Sequence, residues 1–196
     1  MNQFLNMSLI FLSLSCASWR LGETTPIDDF PTTMAKKLNR PVISVKLSKY
    51  DLFENAKLKK GDNKEITKKI ISTFHKTSLF DLVDDDSPSK ELSVDIKIIR
   101  NKESSLALSI FSYATLCLIP KRDKEMMTVN TSFYNKKGEL IAMIEKTETV
   151  VTWYQTLLII ATPFMLPSRT QDNAMMDLIK STILEGYRDG HFFTKL

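Results

Sequence analysis

Alternating apolar and polar residues predict the strands of this chain. In residues 41–52, Ile43, Val45 and Leu47 alternate with polar side chains, which is the pattern of a half-buried strand. The same alternation, or a short apolar run, recurs in residues 80–83, 92–100, 126–134 and 139–152. The turn Asn135-Lys136-Lys137-Gly138 separates the last two, and its glycine suits a left-handed position. We therefore expect an antiparallel sheet of about four to five strands.

Two other segments carry apolar residues at the spacing of amphipathic helices. The first segment is residues 63–78, and its apolar face consists of Ile66, Ile70, Ile71 and Phe74. The second, residues 172–187, places on one face Met175, Met176, Ile179, Ile183 and Tyr187, and Gly190 is the expected stop. Together with the strands, these segments predict an α+β domain with one helix after the first strand and another at the carboxyl terminus.

Two uncharged stretches, residues 104–120 and 150–168, interrupt this pattern. In an antiparallel meander of the last three long strands, both stretches leave the sheet at the same end, opposite the Lys136-Lys137 turn. Three interpretations remain open: part of the core, an exposed patch for a protein partner or the bilayer interface, or a membrane span. A span is the weakest, because both runs are near or below the roughly 20 apolar residues that a spanning helix needs.

Each interpretation assigns a role to the same apolar side chains. In an exposed patch, the residues expected to contact a membrane or a partner are Leu106, Ile110, Phe111, Leu116, Trp153, Leu157, Leu158, Ile160 and Phe164. The flanking cations at headgroup depth would be Lys121, Arg122, Lys124 and Arg169. In the core interpretation, the second stretch instead packs beneath the carboxyl-terminal helix.

The amino terminus has the composition of an export signal. Residues 1–15 carry no charged side chain, are largely apolar, and lead into the small residues Ser15, Cys16, Ala17 and Ser18. We interpret residues 1–18 as a signal peptide with a lipid-attachment cysteine at Cys16, residues 19–40 as a tether, and residues 41–196 as a single domain. A plain signal cut after Ala17, or a buried amino-terminal helix, are the alternatives.

Composition and charge agree with one folded domain and with few kinds of partner. The chain has 196 residues, of which 43% are hydrophobic and 26% charged, as in ordinary globular proteins. Its net charge of +4 is spread along the chain and interrupted by acids, so we predict no nucleic-acid binding. A mild positive charge is compatible with an anionic membrane surface.

Residues that could carry chemistry are scarce. If Cys16 is acylated or removed, Cys117 has no disulfide partner, and its apolar surroundings favour a buried thiol. Neither His75 nor His191 has a partner at ligand spacing, and the run of acids at 84–86 lacks the rest of a calcium loop. Glu145 and Glu148 would point to opposite faces of a strand and are expected to be solvated. We predict no catalytic residue, metal or cofactor.

The order of these segments resembles a loose class of short bacterial lipoproteins of uncharacterised function. The shared features are a signal ending in cysteine, an apolar segment ending in Leu118-Ile119-Pro120, two strands around Lys137-Gly138, a tryptophan-led segment from Trp153 to Pro163-Phe164, and a terminal helix. The resemblance implies an envelope location and no assigned activity.

These observations predict a non-enzymatic binding or assembly module of the bacterial envelope, located outside the cytoplasm and held to a membrane by lipid on Cys16. Its expected partners are that membrane and a protein of the envelope. The alternative is a secreted or periplasmic hydrolase whose site the sequence does not reveal. A cleft around His75, His191 or the acids would favour the hydrolase, and an exposed apolar surface would favour the binding module.

Overall fold

The computed structural model describes residues 16–22, 24, 40–54, 57–60, 63–82, 87, 89–115, 118–155 and 167–192. Within these ranges the chain forms a seven-stranded mixed sheet and three helices. The strands are β1 (Cys16–Arg20), β2 (Val42–Glu54), β3 (Lys57–Lys60), β4 (Asp81–Leu82), β5 (Leu92–Ser104), β6 (Lys121–Asn135) and β7 (Leu140–Tyr154). The helices are α1 (Asn63–Thr77), α2 (Leu106–Ala114) and α3 (Pro167–Arg188).

The strand order is β1-β7-β6-β5-β2-β3, and β4 pairs with the start of β2. The antiparallel meander of β5, β6 and β7 is confirmed. The α+β class is confirmed, but the predicted antiparallel sheet of about four to five strands matches only in part, because β2 and β5 run parallel and the sheet has seven strands. A parallel pair needs a crossover, and α1 supplies it between β2 and β5. Alternation indicates which face a residue occupies, but it does not indicate which strand lies next to it.

The predicted helices and hairpin are confirmed, with small shifts at their ends. Gly138 has a φ of 80° in the turn between β6 and β7, as its position predicts. The last helix begins at Pro167, earlier than expected, and proline is favoured in the first helical turn. Strand β6 begins at Lys121, earlier than the expected residue 126. The first five residues of β6 are charged, and they alternate between buried and exposed positions. A search for alternating apolar residues does not detect a strand of this kind.

The core lies between one face of the sheet and the two helices α1 and α3. Its fully buried side chains include Ile43, Ile96, Ile98, Val129 and Phe133 from the strands, and Ile70, Phe74, Leu178, Ile179 and Ile183 from the helices. Phe192, just after α3, packs edge-to-face against Phe80 and Phe133, with ring centroids 4.9 and 5.0 Å away. This apolar part of the sheet lies toward the β6–β7 hairpin.

Replacing Ile98, which is fully buried in this core, should destabilise the protein strongly. We expect Ile98→Ala to lower the free energy of unfolding by about 2–5 kcal/mol, because it removes apolar contacts and leaves a cavity. The control is Met143→Ala, since Met143 is 59% exposed and its change should stay within about 0.5 kcal/mol. Denaturant titration measures both, and equal effects would contradict this core.

Lys69 joins the two helices through an ion pair. Its Nζ lies 2.8 Å from Asp172 of α3 and 3.1 Å from Glu65 of α1. The hydrogen bonds to Asp172 and then to Glu65 raise the pKa of Lys69 above its ordinary value. Because the folded pKa exceeds the unfolded one, this stabilisation is present at neutral pH and is lost as the pH rises through the folded pKa.

The stability difference between wild type and Lys69→Met should therefore shrink at alkaline pH. We expect a small difference at neutral pH, since the pair is partly exposed, and its loss above the usual lysine pKa of about 10.4. The control is Lys97→Met, because Lys97 is exposed on β5 and outside this ion pair. Thermal melts across the alkaline range test this, and a Lys69→Met difference independent of pH would refute it.

Candidate functional site

One end of the sheet, which we call the α2 end, gathers several chain segments. Cys16 pairs with Tyr154, Tyr154 pairs with Lys121, and Ser104 pairs with Asp123. Since neighbouring strands lie about 4.8 Å apart, the backbones of Cys16 and Lys121 are about 10 Å apart. Strands β5 and β7 both end here, which confirms that the two uncharged stretches leave the sheet at one end.

Helix α2 stands out from this end with most of its apolar side chains exposed. Leu106 is 75% exposed, and Ile110 and Phe111 are each 60% exposed. The small Ser112 is the buried residue of the helix. In this first stretch, therefore, residues 106–114 do not pack as core. The exposed apolar surface continues after the helix through Leu118 and Ile119. We call α2 with these two residues the α2 surface.

Lys121 connects α2 to the sheet. Its Nζ lies 5.8 Å from the ring centroid of Tyr113 in α2 and 5.0 Å from that of Tyr154 at the end of β7. It also forms an ion pair with Asp123 at 3.3 Å. Cation–π contacts of this kind are worth about 0.5–2 kcal/mol each. They hold the last turn of α2 against the end of the sheet.

The tryptophans also lie at the α2 end. Trp19 of β1 and Trp153 of β7 stack at 6.2 Å between ring centroids, on the sheet face opposite α3. The protein has 2 tryptophans, so both are at this end. The structure thus places the predicted contact residue Trp153 at the same end of the sheet as Leu106, Ile110 and Phe111.

Strand β6 separates its charges between two faces. Asp123 and Glu125 are buried, whereas Arg122 and Lys124, which alternate with them along the strand, are exposed. Arg169, at the start of α3, is exposed as well, and Glu103 of β5 is an exposed acid opposite Lys124. Among these exposed groups at the α2 end, cations outnumber acids.

Of these buried acids, Glu125 belongs to a charged network beneath the first half of α3, whereas Asp123 pairs with Lys121 and Lys102. Arg100 donates to Glu125, to the Tyr50 hydroxyl at 2.9 Å and to Gln171 of α3 at 3.3 Å. Burial acts to lower the pKa of Arg100, but the hydrogen bonds and charges of Glu125 and Tyr50 outweigh it and raise that pKa. This network keeps the sheet and α3 together where the apolar core ends.

Arg20 provides the second half of the network. Its guanidinium donates to Glu148 at 3.0 Å and to Asp177 of α3 at 2.7 Å. Glu148 is fully buried and also accepts the backbone N–H of Thr24 at 2.8 Å. The prediction that Glu148 is solvated is wrong, because β1 covers this edge of β7 and supplies Arg20.

Strand β1 also changes the start of the predicted tether. Residues 19 and 20 lie in β1 and pair with Val151 and Val150, so they belong to the sheet. The rest of that segment is described only at residues 21, 22, 24 and 40. Strand β1 has only five residues, too few for a reliable alternation pattern. For this reason the sequence did not predict it.

At the opposite end of the sheet, the β6–β7 hairpin borders a cavity of about 420 Å³. His191, Glu91 and Glu139 are among its lining residues, and none of the lining residues is Ser, Thr or Cys. Glu91 accepts the Val42 N–H at 3.1 Å, and Glu139 accepts the Asn135 amide at 2.7 Å. Both carboxylates thus have structural partners, while His75 lies elsewhere, exposed on α1.

Several predicted contact residues cannot be placed. Leu116, Leu157, Leu158, Ile160 and Phe164 lie outside the described residues, as do Cys117 and the acids at 84–86. For Cys16 the structure describes the backbone. Among the residues that it does describe, no group of three or more His, Cys, Asp or Glu side chains could hold a metal ion. Within the same residues, no helix combines the length and apolarity needed to cross a membrane.

No family model matches the chain, and no curated protein matches it. A crystal structure of a neuraminyllactose-binding hemagglutinin homolog from Helicobacter pylori is similar over 89% of this chain and 97% of that chain, with 11% identity and a TM-score of 0.50. A minor lipoprotein from Acinetobacter baumannii is similar over 79% of this chain and 94% of that chain, with 10% identity and a TM-score of 0.39. At such identities, the similarity to the Helicobacter pylori structure concerns the fold alone.

Removing Arg20 should destabilise the protein, because Glu148 and Asp177 then lose their arginine. We expect Arg20→Met to lower the free energy of unfolding by about 3–5 kcal/mol, as for other broken buried ion pairs. Arg122→Met is the control, since Arg122 is exposed and its change should stay within about 0.5 kcal/mol.

A double variant separates charge from packing at this site. Adding Glu148→Gln to Arg20→Met should recover part of the lost stability, because it removes the buried negative charge. Denaturant titrations of the four proteins give the coupling, and strictly additive losses would argue against an interacting pair.

Proposed function

We propose that the protein is a lipid-anchored module of the bacterial envelope that binds or assembles with other envelope components and performs no catalysis. One observation carries this proposal: the backbone of Cys16 begins β1 at the same end of the sheet as the exposed α2 surface. A lipid on Cys16 would therefore emerge beside the most apolar exposed surface in the described part of the chain.

The pairing of β1 sharpens how such an anchor would act. A flexible tether of some 20 residues would leave the domain free to rotate above the membrane. Cys16 instead lies at the edge of the sheet, and Arg20 of the same strand is bound to Glu148 and Asp177. A lipid on Cys16 would therefore be attached directly to the folded domain, without a flexible linker between them. The α2 end would face the membrane, and the β6–β7 hairpin would point away from it.

A binding role also agrees with the name of the similar Helicobacter pylori protein, although its ligand is not carried over to this chain. For the hydrolase alternative, the cavity next to His191 is a candidate site. Its carboxylates Glu91 and Glu139 already accept structural hydrogen bonds, and its lining contains no hydroxyl or thiol nucleophile. We therefore favour the non-enzymatic module.

Metabolic labelling with a radioactive fatty acid tests the anchor. We expect label on the wild-type protein and none on Cys16→Ser, because the thiol of Cys16 is the proposed attachment point. Cys117→Ser is the matched control and should keep the full label. The membrane fraction of the cell should lose the Cys16→Ser protein in parallel. Label that persists on Cys16→Ser, or that disappears from Cys117→Ser, would refute the assignment.

A further inference from the structure

We infer that the α2 surface is a docking site for a lipid bilayer with anionic headgroups, into which α2 inserts. The inference rests on the proposed function for the direction in which the domain faces, and it goes further by naming the second contact. A lipid on Cys16 and an inserted α2, both at one rigid end of the sheet, would fix the orientation of the whole domain on the membrane.

The distribution of apolar side chains around α2 favours hydrocarbon over a protein groove. Successive residues of a helix are turned by about 100°, so Leu108 and Phe111, three positions apart, share one side of α2, whereas Ile110 is turned away from both by about 100° or more. All three are exposed. A partner protein that receives a helix in a groove reads one stripe of side chains, at positions i, i+3, i+4 and i+7. Fluid acyl chains can cover all the exposed faces at once.

Several polar groups of the α2 surface already have partners within the segment, whereas Ser112 Oγ is buried without a hydrogen-bond partner among the described residues. Ser109 Oγ donates to the carbonyl of Ser105 at 2.8 Å, and Thr115 Oγ1 donates to that of Phe111 at 2.9 Å. After the helix, the backbone N–H of Leu118 donates to the Thr115 carbonyl at 3.0 Å. The N–H of Ile119 donates to Thr115 Oγ1 at 3.2 Å. Groups satisfied in this way lose little when water is removed, which is what entry into an apolar medium requires.

Charge around the surface matches anionic headgroups. Helix α2 has no charged side chain, while Arg122, Lys124 and Arg169 are exposed at the same end of the sheet and Glu103 is the acid opposite Lys124. The neighbouring acids Asp123 and Glu125 face the interior. Interfacial helices bury their apolar residues about 5–10 Å below the headgroups, with cations and aromatic rings at headgroup depth. Trp19 and Trp153 stack at the same end of the sheet, and Trp19 is 39% exposed.

Vesicle binding by the full chain carrying Cys16→Ser tests this inference without a lipid anchor. We expect this protein to sediment with phosphatidylglycerol vesicles and more weakly with phosphatidylcholine vesicles. Adding Ile110→Glu should reduce binding by about tenfold or more, because a charge replaces the exposed apolar side chain that would enter the bilayer. Leu140→Glu is the matched control: Leu140 is 55% exposed at the hairpin end, so binding should not change. Residues 1–15 are the same in every variant, so only the differences between variants report on the α2 surface.

The native tryptophans give a second readout, because both lie at the α2 end. Brominated phosphatidylglycerol should quench the fluorescence of the Cys16→Ser protein and of its Leu140→Glu variant. It should quench that of the Ile110→Glu variant much less at the same lipid concentration. Equal thermal melts of the variants would show that Ile110→Glu has left the fold intact.

Several outcomes would overturn the inference. One is an unchanged affinity of Ile110→Glu for vesicles, and another is binding without any quenching. Equal affinity for both kinds of vesicle would overturn the role of anionic headgroups. If Ile110→Glu instead abolishes self-association or crosslinking to one envelope protein while vesicle binding is unaffected, the α2 surface is a protein interface.

The anchor and the docking surface can fail separately. If fatty-acid labelling fails but vesicle binding depends on Ile110, the proposed anchor is wrong and the docking surface stands. If labelling succeeds but Ile110→Glu binds vesicles normally, the anchor stands and the docking surface is wrong.

Discussion

The contacts of Arg20 with Glu148 and Asp177 are the interaction on which the organisation of this protein depends. They join the first described strand to the last strand and to α3, across 128 and 157 positions of sequence. Without β1, the fully buried Glu148 would lie at an open edge of the sheet. With it, the carboxylate is paired and the amino-terminal segment is held to the sheet. The position of Cys16 follows directly from this pairing.

The face of the sheet that supports α3 changes character along its length. Toward the β6–β7 hairpin it is apolar and packs with Phe133, Ile96 and Ile183. Toward the α2 end it carries Glu125, Arg100 and Glu148 under the first turns of α3. Buried charges of this kind add little stability compared with apolar packing, but they tolerate few alternative partners. Here they link β1 and α3 to the sheet at the end where α2 lies.

The two ends of the domain differ in the chemistry of their surfaces. At the hairpin end, carboxylates around a cavity have structural hydrogen bonds, and the exposed lysines Lys136 and Lys137 lie at its lining. At the α2 end, exposed apolar side chains stand on a helix whose Ser109 hydroxyl, like that of Thr115 just after it, donates to a backbone carbonyl of the same segment. Such an arrangement suits a medium without water. An anchor and a docking helix at the same end would leave the hairpin end facing outward.

Local pattern determined much of this protein by itself. Periodicity located β2, β5, α1, α3 and the Gly138 turn, and the absence of charge located the segment that contains α2, because these properties depend on neighbours close in sequence. The parallel pairing of β2 with β5, the edge strand β1 and the burial of Glu148 depend on contacts between distant residues, and alternation carries no information about them. Likewise, the sequence left open whether residues 106–114 are core or surface. Only the tertiary structure decided it, because exposure depends on which other segments cover a helix, and here α2 projects beyond the end of the sheet that would otherwise have buried it.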